Sequence, residues 1–367
     1  MSSSFYAREA ANDSFIVNLE NQSELKLEVS IKQGEINFSQ VIAIATEKEE
    51  QKQRCGEITK QTLSMFHSRV NSNISEYFGL LKTSDITSKV ILGFIEFLSD
   101  KSIKAVTINQ YLGLLKRLLT IAVLEGWIEG LPVFPKVRSK SIPRASLSID
   151  EYLEVLRCAK NMSRPKISTQ DSHRNIVNGF YVKDAPIPKE MVWLIGFMTN
   201  TFLRPVDMKL LQHKHIKIVE GKNRYLKISL PETKRHTGQV ISLRAAVRIY
   251  RELRENDYKH GFGNTNDYVF LPQIKNREVA IQAISFLFRR ILLKAKLESS
   301  SDGQKRTLYS LRHTAITFRL IYGQGIDLLT LARNARTSVE MIEKFYSSNL
   351  KAEMNVDMLQ SKRTKLG

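Results

Sequence analysis

Residues 130–147 place the strongest restriction on how this 367-residue chain can fold. The stretch reads GLPVFPKVRSKSIPRASL and contains Pro132, Pro135 and Pro143. Proline has no amide hydrogen and a fixed φ, so three prolines exclude a continuous helix here. The stretch predicts a basic, extended linker between two folded regions, as the chain length also favours. A solvated, flexible tether is the alternative interpretation.

The segment before the linker begins with an acidic part. Residues 1–50 hold 4 basic and 9 acidic side chains, whereas the rest of the chain holds 52 basic and 28 acidic ones. We expect residues 1–50 to form a small appendage that does not grip phosphates. Short strands are predicted at Glu24–Val29 and Glu35–Phe38, where the residues alternate around a turn at Gly34.

Residues 51–129 predict a helical unit with an apolar core. Apolar side chains recur at helical spacing over Glu57–Leu81 and Ser88–Leu98. A third helical run begins near Thr107, which is the expected N-cap. The apolar stripe of this run consists of Leu112, Leu115, Leu119 and Val123.

Residues 148–350 predict a second folded region. Ser148 and Glu151 have the spacing of a capping box in front of a helix. The nearly all-apolar run over residues 189–203 predicts a buried helix. It should end at Arg204, because the residue before a proline is disfavoured in the helical conformation.

The hydrophobic period then changes from helical to alternating. The sequences HIKIV, RYLKISL and GQVISL, within residues 215–243, predict three strands. Residues 163–188 are polar and predict a long loop, and further helices are expected at Arg244–Glu255 and Val279–Leu297. The fold class is therefore mainly α with a small antiparallel β-sheet, which makes the second region an α+β domain.

The charge of the chain points to a polyanionic partner. The formal net charge is +19 and the pI is near 9.8, which favours double-stranded DNA. A basic protein that binds no nucleic acid is the alternative. The candidate DNA-binding residues lie off the apolar stripe of the third helical run and along the linker: Lys116, Arg117, Lys136, Arg138, Lys140 and Arg144.

Cysteine content and hydropathy indicate the compartment. Cys55 and Cys158 are too few and too far apart for a disulfide framework or a zinc site, which fits a reducing environment. The sequence has no apolar run of 18 residues and no secretory signal pattern at its N-terminus. We expect a cytoplasmic, nucleoid-associated protein without a membrane partner.

The residues most suggestive of chemistry lie between Leu308 and Tyr346. Arg312 lies on an apolar, helix-like run that Gly323 ends, and Tyr346 lies on a later amphipathic piece. A guanidinium can bind the non-bridging oxygens of a phosphodiester, and a phenol oxygen can attack its phosphorus. Each residue alone is more often structural, as a buried ion-pair partner or a packed ring.

The sequences around Arg204 and Arg312, with a lysine between them and Tyr346 after them, resemble the tyrosine recombinase (phage integrase) family. The stretch TFLRPVDMKLL is similar to the first arginine box of that family, with Asp207 as its acidic residue. LYSLRHTAIT is similar to the second arginine box, and LARNARTSVEMIEKFY to the last box with its nucleophile. The resemblance implies a helical core-binding domain followed by a catalytic domain.

The resemblance also implies roles for individual residues. Arg204 and Arg312 would stabilise the charged transition state, and Tyr346 would form a 3′-phosphotyrosyl link. Lys234, on the turn between the second and third strands, would protonate the leaving 5′ oxygen. No cofactor and no metal are implied. The partners would be a specific recombination site in double-stranded DNA and three further copies of the chain, forming a homo-tetramer.

Two positions depart from the commonest pattern of the family. Tyr309 stands where a histidine is usual, and Thr337 stands where histidine or tryptophan is usual. Both can still form hydrogen bonds, so both are counted as candidate catalytic residues. Arg336 occupies a position where glycine is common, and the spacing of His313 does not fill the missing histidine position.

These departures leave alternatives to a recombinase. One is a DNA-binding accessory protein with a weakened active site, and another is a strand-passing enzyme of the type IB topoisomerase kind. The tail, residues 351–367, follows the start of a weakly amphipathic run at Leu350. We expect this tail to dock on a neighbouring protomer, although packing on its own domain is the simpler interpretation.

Overall fold

The structure is a computed structural model. It describes residues 36–139, 145–163, 176–177, 180–181, 186–230, 238–323 and 325–346. The chain divides into two compact units, Met1–Ser141 and Ile142–Gly367. The division falls inside the predicted linker, whose described residues contain no helix or strand.

The first unit is helical. Its helices are α1 (Phe38–Arg54), α2 (Lys60–Arg69), α3 (Ser75–Phe78), α4 (Ser88–Asp100) and α5 (Ala105–Leu124). A π-helical turn at Val70–Ile74 joins α2 to α3, and a 3-10 turn covers Thr83–Asp85.

An aromatic cluster holds α1, α3 and α4 of the first unit together. The ring centroids of Phe38 and Phe78 are 5.7 Å apart, and those of Phe78 and Phe94 are 4.7 Å apart. All three side chains are fully buried, and each contributes about 1.5–3 kcal/mol through burial. The stripe predicted for α5 packs on the same core: Leu112, Leu115 and Leu119 are buried, and Val123 is half-buried.

The N-terminal boundary differs from the prediction. Helix α1 runs through residue 50, so the boundary placed there falls inside a helix of the first unit. Phe38 is the first residue of α1 instead of the end of a strand, and the side chain of Gln40 accepts the amide of Asn37 at 3.1 Å in front of it. A short apolar run reads equally well as strand or helix, which explains the error. The strand predicted at Glu24–Val29 lies outside the described residues.

Helix α5 also starts earlier than predicted. It begins at Ala105 with Lys104 as its N-cap, so Thr107 is a residue of the first turn and the N-cap prediction is wrong. The amide of Thr107 donates to the carbonyl of Lys104 at 2.7 Å. A good capping side chain does not determine where a helix starts when packing favours an additional turn.

The second unit contains a small sheet among helices. Its elements are α6 (Ile149–Ser163), β1 (Ile176–Val177), β2 (Phe180–Tyr181), α7 (Glu190–Thr201), α8 (Pro205–Leu210), β3 (Ile216–Val219), β4 (Tyr225–Ile228), β5 (Val240–Ile241), α9 (Ala245–Lys259), α10 (Arg277–Ala295), α11 (Leu308–Tyr322), α12 (Leu328–Asn334) and α13 (Val339–Tyr346). This composition confirms the predicted class, which is mainly α with a small antiparallel sheet.

The three predicted strands form one antiparallel sheet in the order β3-β4-β5. Ile228 pairs with Ile216 on one side and with Val240 on the other. Strands β1 and β2 pair as a separate two-stranded element inside the segment 163–188, where only a loop was expected. Two residues per strand are too few to produce a readable alternation.

The start of α6 confirms the predicted capping box. The amide of Ser148 donates to Glu151 Oε2 at 2.9 Å, and the amide of Glu151 donates to Ser148 Oγ at 3.2 Å. Helix α7 is buried along most of its length, as its apolar sequence predicts, and it packs against α9 and α11. In the described part of the chain, none of the helices is long and apolar enough to cross a membrane.

One ionisable group is buried at the start of α7. Glu190 Oε2 has no solvent exposure and no hydrogen-bond partner among the described residues. Nearby, His213 contacts Asp257 at 3.6 Å and shares a hydrogen bond of 3.0 Å with Tyr250. Burial, together with the charge of Asp257, raises the pKa of the Glu190 carboxyl to about 8.

Glu190→Gln should therefore stabilise the protein in a pH-dependent way. The folded-state pKa lies above the ordinary value of 4.5, so the folded chain keeps this proton while the unfolded chain loses it. Stability should fall as the pH rises from about 4.5 to 8 in the parent and should lack this decrease in the variant. We expect a gain on the order of 1 kcal/mol or more at pH 8, since each pKa unit corresponds to about 1.4 kcal/mol.

Denaturant unfolding at pH 5, 6.5 and 8 measures this difference. Asp302→Asn, at an exposed carboxylate of the same unit, serves as the control and should show no such gain. An equal effect of Glu190→Gln at all three pH values would contradict the assignment.

Candidate active site

Arg312 is the buried centre of the site. It lies on α11 with 3% of its surface exposed, and its guanidinium donates to the carbonyl oxygens of Phe202 and Ala335, the latter at 2.5 Å. Phe202 follows the end of α7, and Ala335 follows the end of α12. Carbonyls at helix ends lack helical partners and attract cations, so they are suitable partners for a buried guanidinium. Burial, with the charge of Arg204, lowers the pKa of Arg312.

Arg204 stands at the junction between α7 and α8, as predicted. It is the N-cap residue of α8, and its amide donates to Asp207 Oδ2 at 2.9 Å. Its guanidinium donates to the carbonyl oxygen of Arg336. The acidic residue of the first arginine box therefore caps the helix on which Arg204 is placed.

Arg336 has a structural role that its sequence position did not reveal. Its φ is +52°, a left-handed conformation that favours glycine, and glycine is common there in the resembling family. The conformation costs a non-glycine residue about 1–2 kcal/mol. The side chain is 4% exposed, and its Nη1 lies 3.8 Å from Asp207 Oδ1. This ion pair connects the two segments that carry Arg204 and Thr337.

Tyr346 is the last residue of α13 and is 5% exposed. It belongs to a small apolar cluster that also includes Phe202, Ala335 and Ile342. Burial raises the pKa of the Tyr346 phenol well above its usual range. The positive charges of Arg312 and Arg204 act in the opposite direction. Both arginines are thus close enough to interact electrostatically with this phenol.

Tyr309 and His313 complete the cluster from one face of α11. The ring centroid of His313 is 5.1 Å from that of Tyr309 and 5.1 Å from that of Tyr346. Spacing in the sequence did not place His313 at the missing histidine position, but the structure places its ring between the two tyrosines. The i to i+4 relation of Tyr309 and His313 on a helix is the signal that could have indicated this contact.

Two predicted site residues remain without a described side-chain contact in the cluster. Thr337 is half-buried and directly follows Arg336, and its amide donates to the carbonyl of Ala332 at 2.9 Å. Lys234 lies outside the described residues, which end at Leu230 and resume at Gly238 between β4 and β5.

The predicted DNA-binding residues of α5 and the linker differ in their surroundings. Lys116, Lys136 and Arg138 are exposed. Arg117 is also exposed, but its guanidinium contacts Glu49 at 2.6 Å, so part of its charge is balanced within the unit. Lys140 and Arg144 lie outside the described residues.

A cavity of about 840 Å³ adjoins the cluster in the second unit. Arg204 and Tyr309 form part of its wall, and Arg289 and Lys305 form another part. Both of the latter side chains are exposed, and neither has an ion-pair partner among the described residues. The cavity thus offers positive charge next to the candidate catalytic side chains.

Comparisons with known proteins place this arrangement in a known fold. Residues 37–137 match the family model of the phage integrase SAM-like domain. No curated protein matches the chain in sequence.

Solved structures match over nearly the whole chain. A lambda integrase dimer bound to a COC′ core site has a TM-score of 0.62 and 15% identity, covering 98% of this chain and 90% of that one. The Tn1549 transposon integrase in complex with transposon right end DNA has a TM-score of 0.63 and 15% identity, covering 89% and 99%. A lambda integrase tetramer bound to a Holliday junction has a TM-score of 0.60 and 17% identity, covering 90% and 88%.

The family resemblance read from the arginine and tyrosine boxes is therefore confirmed: the chain carries a phage integrase SAM-like domain and has the fold of the tyrosine recombinases.

Proposed function

We propose that this protein is a site-specific DNA recombinase that cleaves and rejoins DNA strands through a 3′-phosphotyrosyl intermediate. The observation that carries the proposal is the convergence of Arg204, Arg312 and Tyr346. Two consecutive carbonyls, of Ala335 and Arg336, hold the two guanidiniums, and both arginines act on the pKa of the tyrosine. The fold brings together residues that are far apart in sequence, which supports a phosphodiester as their common ligand.

In the proposed reaction, the phenol oxygen of Tyr346 attacks the scissile phosphorus. The phenol loses its proton to solvent water as a bond forms between Oη and phosphorus. The bond from phosphorus to the 5′ oxygen breaks, and Lys234 supplies the proton for that oxygen. Arg204 and Arg312 stabilise the negative charge on the non-bridging oxygens. An arginine in a comparable phosphoryl transfer contributes a factor on the order of 10³ or more in rate.

Tyr309 and Thr337 would donate hydrogen bonds to the same phosphate. A neutral hydroxyl binds an oxyanion less strongly than a charged imidazolium does, so each contributes less than an arginine. The cavity beside Arg204 and Tyr309 supports this role because Arg289 and Lys305 could bind adjacent phosphates of the strand.

The remaining basic surface would bind duplex DNA. We propose that the SAM-like unit and the catalytic unit clamp the duplex through the basic linker, with Lys116, Lys136 and Arg138 on phosphates. Residues 51–367 hold 52 basic and 28 acidic side chains, so affinity should fall steeply with salt as counterions are released. The structural neighbours include integrases bound to core-site and transposon-end DNA, which supports a duplex partner.

We also propose that the active assembly is a homo-tetramer on two duplexes. Strand exchange needs several active sites, and a head-to-tail exchange of tails closes into a ring when the rotation allows it. A structural neighbour is a lambda integrase tetramer on a Holliday junction. The tail, residues 351–367, would make the exchange contact.

A DNA-binding accessory protein is the second candidate function. Tyr309 and Thr337 favour it, because each replaces a side chain that is usual in the active sites of the resembling family. A nicked suicide substrate separates the two functions, since a covalent protein–DNA adduct excludes an inactive site. Exchange of strands between two duplexes then distinguishes a recombinase from a topoisomerase of type IB.

Tyr346→Phe should abolish the covalent adduct and leave DNA affinity within about threefold. Only the attacking oxygen is removed, while the ring and its packing against His313 are kept. Denaturing electrophoresis of the nicked substrate measures the adduct. Tyr322→Phe, at a tyrosine on α11 that is 58% exposed, is the matched control and should keep full cleavage. An adduct that persists in Tyr346→Phe would assign the nucleophile to another residue.

The site residues should differ in the size of their effects. Arg204→Ala and Arg312→Ala should each slow cleavage by about 10³-fold or more. Tyr309→Phe and Thr337→Val should each slow it by about tenfold, because one neutral hydrogen bond contributes on the order of 1 kcal/mol. Single-turnover cleavage at saturating protein gives the four rate constants. Equal losses in all four variants would contradict this ranking.

Deleting residues 351–367 should separate binding from synapsis. The truncated protein should bind a single DNA site normally. It should form no tetrameric complexes and exchange no strands, because the deleted tail would bind the neighbouring protomer in the proposed assembly. Size measurement of protein–DNA complexes decides the question. A truncated protein that forms tetramers and recombines at the full rate would show that the tail packs only on its own unit.

A further inference from the structure

The end of the linker is hydrogen-bonded to helix α11 at one point and to the residue in front of its N-cap at another. The carbonyl of Ser146 accepts from Arg306 Nε at 3.3 Å, and the amide of Leu147 donates to Thr314 Oγ1 at 2.9 Å. Arg306 directly precedes Thr307, the N-cap of α11, and Thr314 lies in its second turn. The last residues of the linker therefore lie along the turns that carry Tyr309 and Arg312.

Arg306 joins this contact to the start of α6. Its side chain is 3% exposed, and Nη2 donates to both carboxylate oxygens of Glu151, at 2.8 and 2.7 Å. Nη1 donates to the carbonyl of Ser299 at 3.2 Å, and the backbone amide donates to the carbonyl of Glu298 at 2.7 Å. Glu151 also accepts the amide of Ser148, the residue that directly follows the linker. Arg306 is the buried partner and Glu151 is 30% exposed, so removing Glu151 would leave a buried guanidinium without its ion-pair partner.

Thr314 makes the second contact from the interior of α11. It is fully buried, and its hydroxyl donates to the carbonyl of Ser310 at 2.8 Å while it accepts the amide of Leu147. Arg312, two residues earlier, depends on fixed carbonyls at the ends of two other helices. A shift of α11 by about 1 Å would disturb those bonds, and misplacement of this size can cost about 10²-fold in rate.

We propose that Arg306 and Thr314 are positioning residues that transmit the position of the linker to α11. When the SAM-like unit binds DNA, the linker end would hold α11 where Arg312 and Tyr309 meet the scissile phosphate. Neither residue touches the phosphate. The inference goes beyond the proposed function and rests on it only where cleavage is the readout.

Thr314→Val and Thr314→Ser in the full chain test the contact to the linker. Valine has nearly the same shape and removes the acceptor for Leu147, whereas serine keeps it. In single-turnover cleavage of the nicked substrate, Thr314→Val should lower the rate constant 10- to 100-fold at full amplitude, with DNA affinity unchanged. Thr314→Ser should stay within about threefold of the parent, and Arg306→Lys should give an intermediate rate.

A purely structural role would change different quantities. Loss of stability lowers the melting temperature and the active fraction, and hence the amplitude, but it leaves the rate constant of the folded molecules unchanged. Leu253→Ala, a fully buried change on α9 away from the linker, is the control for this behaviour. The same pattern in Thr314→Val as in Leu253→Ala would overturn the proposal.

A double-mutant cycle tests whether the linker is the coupled element. Insertion of Gly-Ser-Gly-Ser after Ser139 should by itself slow cleavage about as much as Thr314→Val does. The two changes together should then add little, because both interrupt the same connection. Effects that multiply would show that Thr314 acts on α11 independently of the linker.

Hydrogen exchange gives a readout that needs no cleavage. On binding of a DNA duplex, amides of residues 307–314 should exchange more slowly in the parent and in Thr314→Ser, but not in Thr314→Val or the linker insertion. Absence of a covalent adduct in the parent would refute the proposed function alone. The exchange result would still support the coupling of the linker to α11. Equal slowing in all four proteins would overturn the coupling.

Discussion

The candidate site depends on two consecutive carbonyl groups at the end of α12. The carbonyl of Ala335 accepts from Arg312, and the carbonyl of Arg336 accepts from Arg204. Burying a guanidinium without partners is prohibitive, so these acceptors decide whether Arg312 can lie 3% exposed inside the unit. The chain direction at residues 335–336 therefore determines where both positive charges point.

The unusual backbone of Arg336 follows from that requirement. A left-handed residue turns the chain after α12, so that α13 can bring Tyr346 back to α11. Glycine would adopt this conformation without strain, whereas the arginine bears that cost and adds an ion pair with Asp207. Asp207 thus has two partners, the amide of Arg204 and the guanidinium of Arg336. This carboxylate therefore connects the first arginine box to the last box.

Local signals in the sequence predicted most helices, the three-stranded sheet and several junctions of the second unit. The proline after Arg204, the capping box at Ser148 and the change of period before β3 each act within a few residues, and each was confirmed. Local signals were wrong at the start of α1, at the N-cap predicted at Thr107 and over the strands β1 and β2, and contacts between distant segments gave no local signal. Arg117 pairs with Glu49 across two helices, and His313 meets Tyr346 only after α12 and α13 fold back.

The difference between local signals and distant contacts also explains which parts of the candidate site could be predicted from the sequence. The boxes around Arg204, Arg312 and Tyr346 identified which residues converge, because their order and context resemble a family with a known arrangement. They did not identify the carbonyls of Phe202, Ala335 and Arg336, since main-chain acceptors carry no side-chain signature. Neither did they indicate the Arg306 contacts, whose partners lie 155 and 160 positions earlier in the chain.

The electrostatic balance of the site favours an anion between its parts. Burial, and after it the charge of Arg204, lowers the pKa of Arg312, and the second cause means that the two guanidiniums repel each other where the fold holds them. Burial of Tyr346 raises its pKa, so the phenol itself stays neutral and does not relieve that repulsion. A phosphodiester carries the missing negative charge, and its transition state places more of it on the non-bridging oxygens. In the proposed reaction, the repulsion between the two guanidiniums that the carbonyls of residues 335 and 336 hold together would be relieved most fully in the transition state of the phosphate. Such differential stabilisation is the condition for catalysis by a preorganised site.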